Sequence, residues 1–276
     1  MTGAARLVSA VVAAHPSQSE VPRGLSPQLW TSLQALLSSV PGGGAIRVLD
    51  CGGGSGSLAV PLAIRGAAVT VVDVSIDALG TLRRRAAEAG VLDQVTAVQG
   101  EVESLSELLP VSGDHAGFDV VLAHEVLENV ASPGAAIHQL AATIRPGGVL
   151  SVVVGNPVAA VLGRALSGDV VGALAALRRP AATSFSLTVL QDLCVAAGLA
   201  VERVDGLGVF AEIVPGIELD RPGALSALAE LEAATSGLAP YRDIAARLHL
   251  IARRPDLGAG PDGAMNPDLE RSSDQR

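Results

Sequence analysis

A short apolar run, residues 46–49, ends at Asp50 and breaks into Cys51-Gly52-Gly53-Gly54-Ser55-Gly56-Ser57. An alanine- and leucine-rich segment, 58–64, follows at once. That order reads as a buried strand, a tight loop and a helix start. Glycines at 52, 54 and 56 remove the side chains that would keep a ligand off the backbone. The first turn of the helix then offers unpaired N–H groups to whatever sits there. The loop predicts a ligand cradle and leaves open which ligand it holds.

The chain repeats this alternation. Residues 25–37, holding Trp30, read as an amphipathic helix that ends at Pro41-Gly42-Gly43-Gly44. Strand 46–50 and the loop lead into a helix to about Arg65, closed by Gly66. Strand 67–73, helix 75–89 with Gly90 behind it, and strand 94–99 follow. A short helix at 101–109, strand 118–123, a helix from Ser132-Pro133 to Ile144, a turn at 145–148 and strand 149–154 complete the first part. Five apolar strands alternating with helices predict an α/β fold with a parallel, doubly wound sheet. Ligands on such sheets bind beyond the strand carboxyl ends. Asp50, Asp73, Gly100-Glu101 and His124 all fall at predicted strand ends, so one rim should collect them.

Beyond 156 the pattern changes. An alanine-rich helix, 157–177, is broken near Gly168, and a second helix runs over 187–197. Strands at 199–210 and 248–253, separated by a helix at 222–235, predict an antiparallel pair closing the edge of a seven-stranded sheet. The expected organisation is an N-terminal helical segment (1–44), with 4–14 a helix lying over the fold, and one domain over 45–254. Within it, 45–155 is the cofactor half and 156–254 the acceptor side. The tail, 255–276, turns to Pro, Gly, Asp and Ser without apolar periodicity and is expected to be disordered.

Composition removes several chemistries. All 19 basic residues are arginine. A P-loop lysine, a Schiff base and a Tyr-x-x-x-Lys pair are therefore impossible, and the single tyrosine, Tyr241, weakens dehydrogenase readings further. A formal charge of -9 opposes a broad polyanion-binding surface. Aromatic residues at 2% leave few platforms for stacking bases. Arg83-Arg84-Arg85 suggests a nucleic-acid patch, yet three consecutive helix residues face different ways. Cys51 and Cys194 have no metal-ligand spacing, nor do the histidines, so no metal is expected. No run is long and apolar enough for a clear membrane span, and a cytoplasmic protein without membrane partners is expected.

Two cofactors compete for the loop. Gly54-x-Gly56-x-x-Ala59, with Asp73 further on, imitates a dinucleotide fingerprint. The second reading is an acid followed by alternate glycines, Asp50-x-Gly52-x-Gly54-x-Gly56. A pyrophosphate does not want a carboxylate at the mouth of its cradle. S-adenosylmethionine, which brings an α-ammonium and no phosphate, does. Asp73 serves ribose hydroxyls in both.

The motifs together resemble the class I S-adenosylmethionine-dependent methyltransferases. They are residues 48–56, Val71-Val72-Asp73, Gly100-Glu101, Phe118-Asp119-Val120-Val121 with His124-Glu125-Val126-Leu127-Glu128, and Arg145-Pro146-Gly147-Gly148. The resemblance implies a Rossmann-like fold and cofactor contacts from Asp50, Gly52, Gly54 and Gly56 around the methionine part. It further implies that Asp73 with Val74 holds the ribose, that Glu101 with Val102 stands at the adenine, and that His124 lies beside the sulfonium or the acceptor. His124 is the base candidate if the acceptor carries a proton, with Glu125 next; a carboxylate acceptor would need none. Asn156 either points at the acceptor or makes the turn before Pro157.

The C-terminal half is also similar to the methyltransferases that esterify 5-carboxymethoxyuridine in tRNA, through Leu150-Ser151-Val152, Gly155-Asn156, Gly208-Val209-Phe210, Glu232 and residues 248–255. This chain departs from them with neutral residues at 181–186 and with Gly208 where that family tends to have arginine. Both changes remove positive charge that an anionic nucleoside would want. The expected function is methyl transfer to an oxygen or nitrogen of a small molecule or modified nucleoside. The alternatives are carboxyl methylation of tRNA carboxymethoxyuridine and a non-catalytic S-adenosylmethionine-binding protein.

Overall fold

The computed structural model describes residues 21–22, 25–41, 44–109, 117–179 and 184–256. The helix expected at 4–14 and the tail from 257 onward lie outside them. Helix α1 (Pro27–Ser39) starts at Ser26, whose hydroxyl accepts from the Leu29 N–H, with Pro27 in the first turn. It buries Leu29, Trp30, Leu33 and Leu36, one stripe at helical spacing. The chain then alternates β1 (Arg47–Cys51), α2 (Ala59–Ile64), β2 (Ala68–Asp73), α3 (Ile76–Glu88), β3 (Val95–Gln99), α4 (Leu105–Leu108), β4 (Phe118–His124), α5 (Pro133–Thr143) and β5 (Ile144–Gly155). The later part adds α6 (Pro157–Leu166), α7 (Val170–Arg178), α8 (Leu187–Ala196), β6 (Ala200–Leu207), α9 (Gly216–Leu219), α10 (Ala224–Thr235) and β7 (Arg247–Arg253).

The seven strands form one sheet in the order β3-β2-β1-β4-β5-β7-β6. Strands β1 to β5 pair in parallel, and β7 runs antiparallel between β5 and β6. The expected antiparallel edge is present, with the last strand taking the inner place. From β1 the chain builds outward through β2 and β3, and from β4 it builds the other way. The crevice at this reversal opens beyond the ends of β1 and β4. One apolar core packs α5 and α8 against the sheet, and a second packs α1, α2 and α3 on its other face.

Two boundaries differ from expectation. The turn expected at 145–148 is an irregular stretch inside β5: the pairing runs from Phe118–Ile144 to Val120–Val149, so extra residues bulge out of the ladder. Arg145 holds the bulge by donating to Asp119 at 2.5 Å, and Gly147, at φ +75°, donates to the Arg254 carbonyl. The strand expected to reach Phe210 stops at Leu207, because Gly208 turns the chain at φ +70°. The buried Glu232 carboxylate then accepts the N–H groups of Val209, Phe210 and Ala211 at 2.8–2.9 Å. No helix among the described residues is long and apolar enough to cross a membrane.

Candidate active site

The crevice holds a cleft of about 380 Å³. Its floor is Asp50 and the glycine loop; His124, Glu125 and Val153 form one wall, and Leu25 and Ser26 before α1, Leu29 within it, Leu207 and Arg247 form the other. Asp50 sits next to last on β1, flanked in register by Val71 and Leu122, and is 2% exposed. Its Oδ2 is buried and hydrogen-bonds nothing among the described residues. Burial, and then the nearby Asp73, raises its pKa from the usual carboxylate range to about 7. Such a carboxyl ionises at modest cost only when a cation arrives beside it, and a primary ammonium supplies both the charge and N–H donors.

The loop is built for close approach. Gly52, Gly54 and Gly56 all adopt left-handed φ angles of +52° to +80°, which explains their alternate spacing. Gly53 has ordinary φ and is glycine for another reason: a Cβ there would collide with the Asp50 carboxylate. Asp73 ties the loop to the start of α3, accepting from the Gly54 N–H at 2.9 Å and the Ser75 N–H at 2.8 Å. Arg85 braces it from α3 by donating to the Ser55 carbonyl at 2.9 Å. Its neighbours go elsewhere: Arg83 donates to the Ala97 carbonyl and Arg84 pairs with Glu88. The arginine triplet is thus divided among three local tasks and forms no common patch.

His124 ends β4 and is among the residues lining the cleft. Its Nε2 lies 2.9 Å from Ser151 Oγ, and its Nδ1 has no hydrogen-bond partner among the described residues. Burial lowers its pKa to about 3, so the imidazole is neutral at any working pH. The next residue, Glu125, has the left-handed φ of +57°, rare for a side chain of this kind, and its carboxylate meets Arg247 at 2.9 Å across the cleft mouth. Cys51 is buried, and burial together with Asp50 raises its thiol pKa, so it is no nucleophile.

The other expected residues divide. Val74 and Glu101 are exposed on the same rim, beyond β2 and β3 and outside the cleft, and Val102 is buried beneath them. The Glu101 carboxylate makes no capping hydrogen bond to the helical turn it precedes. Gly56 turns away from the cleft: a Cβ there would run into Leu82 of α3, so its role is helix packing. Asn156 takes the turn reading. Its Oδ1 caps α6 through the Val158 N–H at 3.0 Å, and its Nδ2 donates to the carbonyls of Asp243 and Ala245 at 2.9 and 2.8 Å. These bonds secure the end of β5 to the approach to β7. Ser151, His249, Arg247 and the α1 residues were not singled out for the site by sequence.

Known proteins share this fold. Residues 20–204, more than half of the chain, match a family model described as a methyltransferase domain. Over 233 residues the chain is 28% identical to the tRNA 5-carboxymethoxyuridine methyltransferase of Escherichia coli, covering 82% of this chain and 87% of that protein. Over 102 residues it is 39% identical to a ubiquinone biosynthesis O-methyltransferase of Azotobacter vinelandii, covering 37% and 41%. The solved magnesium protoporphyrin IX methyltransferase of Synechocystis PCC 6803 with bound SAH shares the fold at a TM-score of 0.54 and 18% identity, over 92% of this chain and 94% of that one. The chain belongs to the methyltransferase-domain family and is a class I S-adenosylmethionine-dependent methyltransferase. The unpartnered Asp50 carboxylate oxygen beside the glycine loop fits the α-ammonium of that cofactor.

Proposed function

We propose that the protein methylates a hydroxyl oxygen on a small molecule or modified nucleoside, with His124 as the base. The observation that carries this reading is the place of His124 in the lining of the same cleft as Asp50 and the glycine loop, with its buried Nδ1 unpartnered among the described residues. The cofactor supplies the electrophilic methyl group; the protein binds, aligns and excludes water. Asp50 takes the α-ammonium, and Gly52 and Gly54 let the methionine chain lie on the backbone. Each Asp73 oxygen accepts one backbone N–H and keeps lone-pair capacity for a ribose hydroxyl. Val74, Glu101 and Val102 continue the rim toward the adenine. Leu29, Leu58, Val153 and Leu207 are apolar walls that strip water from the acceptor. His124 gains a positive charge in the step that discharges the sulfonium, so the net charge of the cleft is unchanged.

A second reading has its own support: an anionic acceptor, favoured by the 28% identity to the tRNA enzyme and by Arg247 at the cleft mouth. It would need Arg247 to exchange Glu125 for the acceptor carboxylate, and it would need no base. Labelled S-adenosylmethionine offered to total tRNA and to a small-molecule extract separates the two. The hydroxyl reading expects label in a small-molecule or nucleoside ether. It also expects His124→Gln to lower transfer about a hundredfold with S-adenosylhomocysteine affinity unchanged. Label confined to base-labile esters in tRNA, indifferent to His124→Gln, would establish the second reading instead.

A further inference from the structure

Three neighbouring strands place His124, Ser151 and His249 on one face. His124 of β4 pairs in register with Val153 of β5, and Val153 pairs with His249 of β7. The two imidazoles therefore stand either side of β5, and Ser151, two residues back on the same face, fills the space between them. Its Oγ lies 2.9 Å from Nε2 of His124 and 2.9 Å from Nε2 of His249, and the rings meet edge to face at 81° with centroids 6.0 Å apart. Ser151 and His249 are 0% exposed, and each histidine Nδ1 is buried without a hydrogen-bond partner among the described residues.

A serine hydroxyl has one proton. Held between two Nε2 atoms it donates to one and must accept from the other, so the two histidines are forced into opposite tautomers. In one arrangement His124 Nε2–H donates to Ser151, whose O–H donates to His249 Nε2, leaving a lone pair on His124 Nδ1. In the other arrangement both protons are shifted and His124 Nδ1 carries hydrogen, useless to a base. A sulfonium beside the ring favours the first, because it attracts a lone pair and repels an N–H. The charged groups around His249 are Arg203 and its ion-pair partner Asp205, which sits in register beside it on β6.

We propose that Ser151 and His249 are positioning residues for methyl transfer: a serine-bridged histidine pair that locks His124 in the tautomer with a basic Nδ1. This rests on His124 acting as the base. When the acceptor O–H bond breaks, its proton forms the Nδ1–H bond of His124. The resulting imidazolium stays hydrogen-bonded through Nε2–H to Ser151, and the oxygen's electron pair forms the new bond to the methyl carbon.

Nitrogen-15 NMR of the imidazoles in the S-adenosylmethionine complex, which keeps the sulfonium, tests the lock. Between pH 6 and 8, His124 should be protonated on Nε2 alone and His249 on Nδ1 alone. Ser151→Ala should mix the tautomers of His124 and lower label transfer tenfold or more, with S-adenosylhomocysteine affinity unchanged. His249→Phe should do the same. His249→Gln, which keeps an acceptor oxygen for the Ser151 hydroxyl, should restore both the tautomer and part of the transfer. Identical tautomers at the two histidines, or His124 nitrogen shifts indifferent to Ser151→Ala and His249→Phe, would overturn the lock and leave the base standing. Transfer undiminished in His124→Gln would overturn the base itself, and this proposal with it.

Discussion

Cofactor binding should expel a proton, and the amount follows from Asp50. With its pKa near 7 in the free protein, burial and Asp73 keep much of this carboxyl protonated under ordinary conditions. An ammonium seated against Oδ2 restores an ionised carboxylate. The proton released on binding S-adenosylhomocysteine should then be about 0.9 per site at pH 6, about 0.5 at pH 7 and about 0.1 at pH 8. Calorimetric titration in two buffers of different ionisation enthalpy measures it directly, since the apparent enthalpies diverge by the released fraction. Asp50→Asn keeps the shape, removes the charge and should abolish the divergence. It should also weaken binding by about 2–4 kcal/mol, on the order of a hundredfold, the cost of leaving a buried ammonium without its counter-ion. Equal enthalpies in both buffers at pH 6, or an Asp50→Asn variant that binds as tightly as the parent, would refute the assignment of Asp50 to the cofactor amine.

Asp73→Ala should lower S-adenosylhomocysteine affinity at least tenfold with circular dichroism unchanged, because it frees the Gly54 N–H and removes the acid assigned to the ribose. Gly53→Ala should damage the same affinity by a different route, since its methyl group meets the Asp50 carboxylate and Val71; overpacking of this kind costs about 1–3 kcal/mol, and unchanged binding would mean the loop yields freely. Glu232→Ala strips three backbone N–H groups of their acceptor, so urea unfolding should show a loss of about 2–4 kcal/mol.

The strand-end acids and the glycine loop were legible because their constraints are local. A buried parallel strand prints an unbroken apolar run, and a loop needing left-handed backbone prints alternate glycines, so Asp50 and Asp73 could be placed from sequence. Gly56 shows the limit: the spacing that marks a ligand loop also marks a helix pressed against it, and only the collision course with Leu82 separates them. Asn156 carried an available signal, since an Asn before a proline is what an N-cap looks like. His249 carried none. Residues 248–252 are all buried, so β7 shows no period-two alternation from which its face or register could be read. Its insertion between β5 and β6 is what brings His249 to Ser151 and Arg247 to Glu125. That wall of the cleft is therefore written in long-range register.

The site sets two perturbations against each other. Asp50 binds its proton more tightly in the folded protein, at about 7, than in the unfolded chain, so its contribution to stability falls as pH rises from about 4 to 7. His124, lowered to about 3, and His249, lowered well below its usual value, bind theirs more weakly when folded, so their contributions rise with pH up to about 6.5. Over the shared range the carboxyl cancels one histidine. What remains in the free protein is the rise contributed by His249. Bound cofactor, or Asp50→Asn without it, removes the opposing group and should steepen the slope by about 1.4 kcal/mol per pH unit, one proton's worth. Urea midpoints at pH 4.5 and 6 compare the slopes, and parallel lines for parent and Asp50→Asn would mean the carboxyl ionises normally. A steeper slope in the variant would show that the free cleft is held below its best stability by an acid waiting for a cation, which is the physical form of a site organised around its donor.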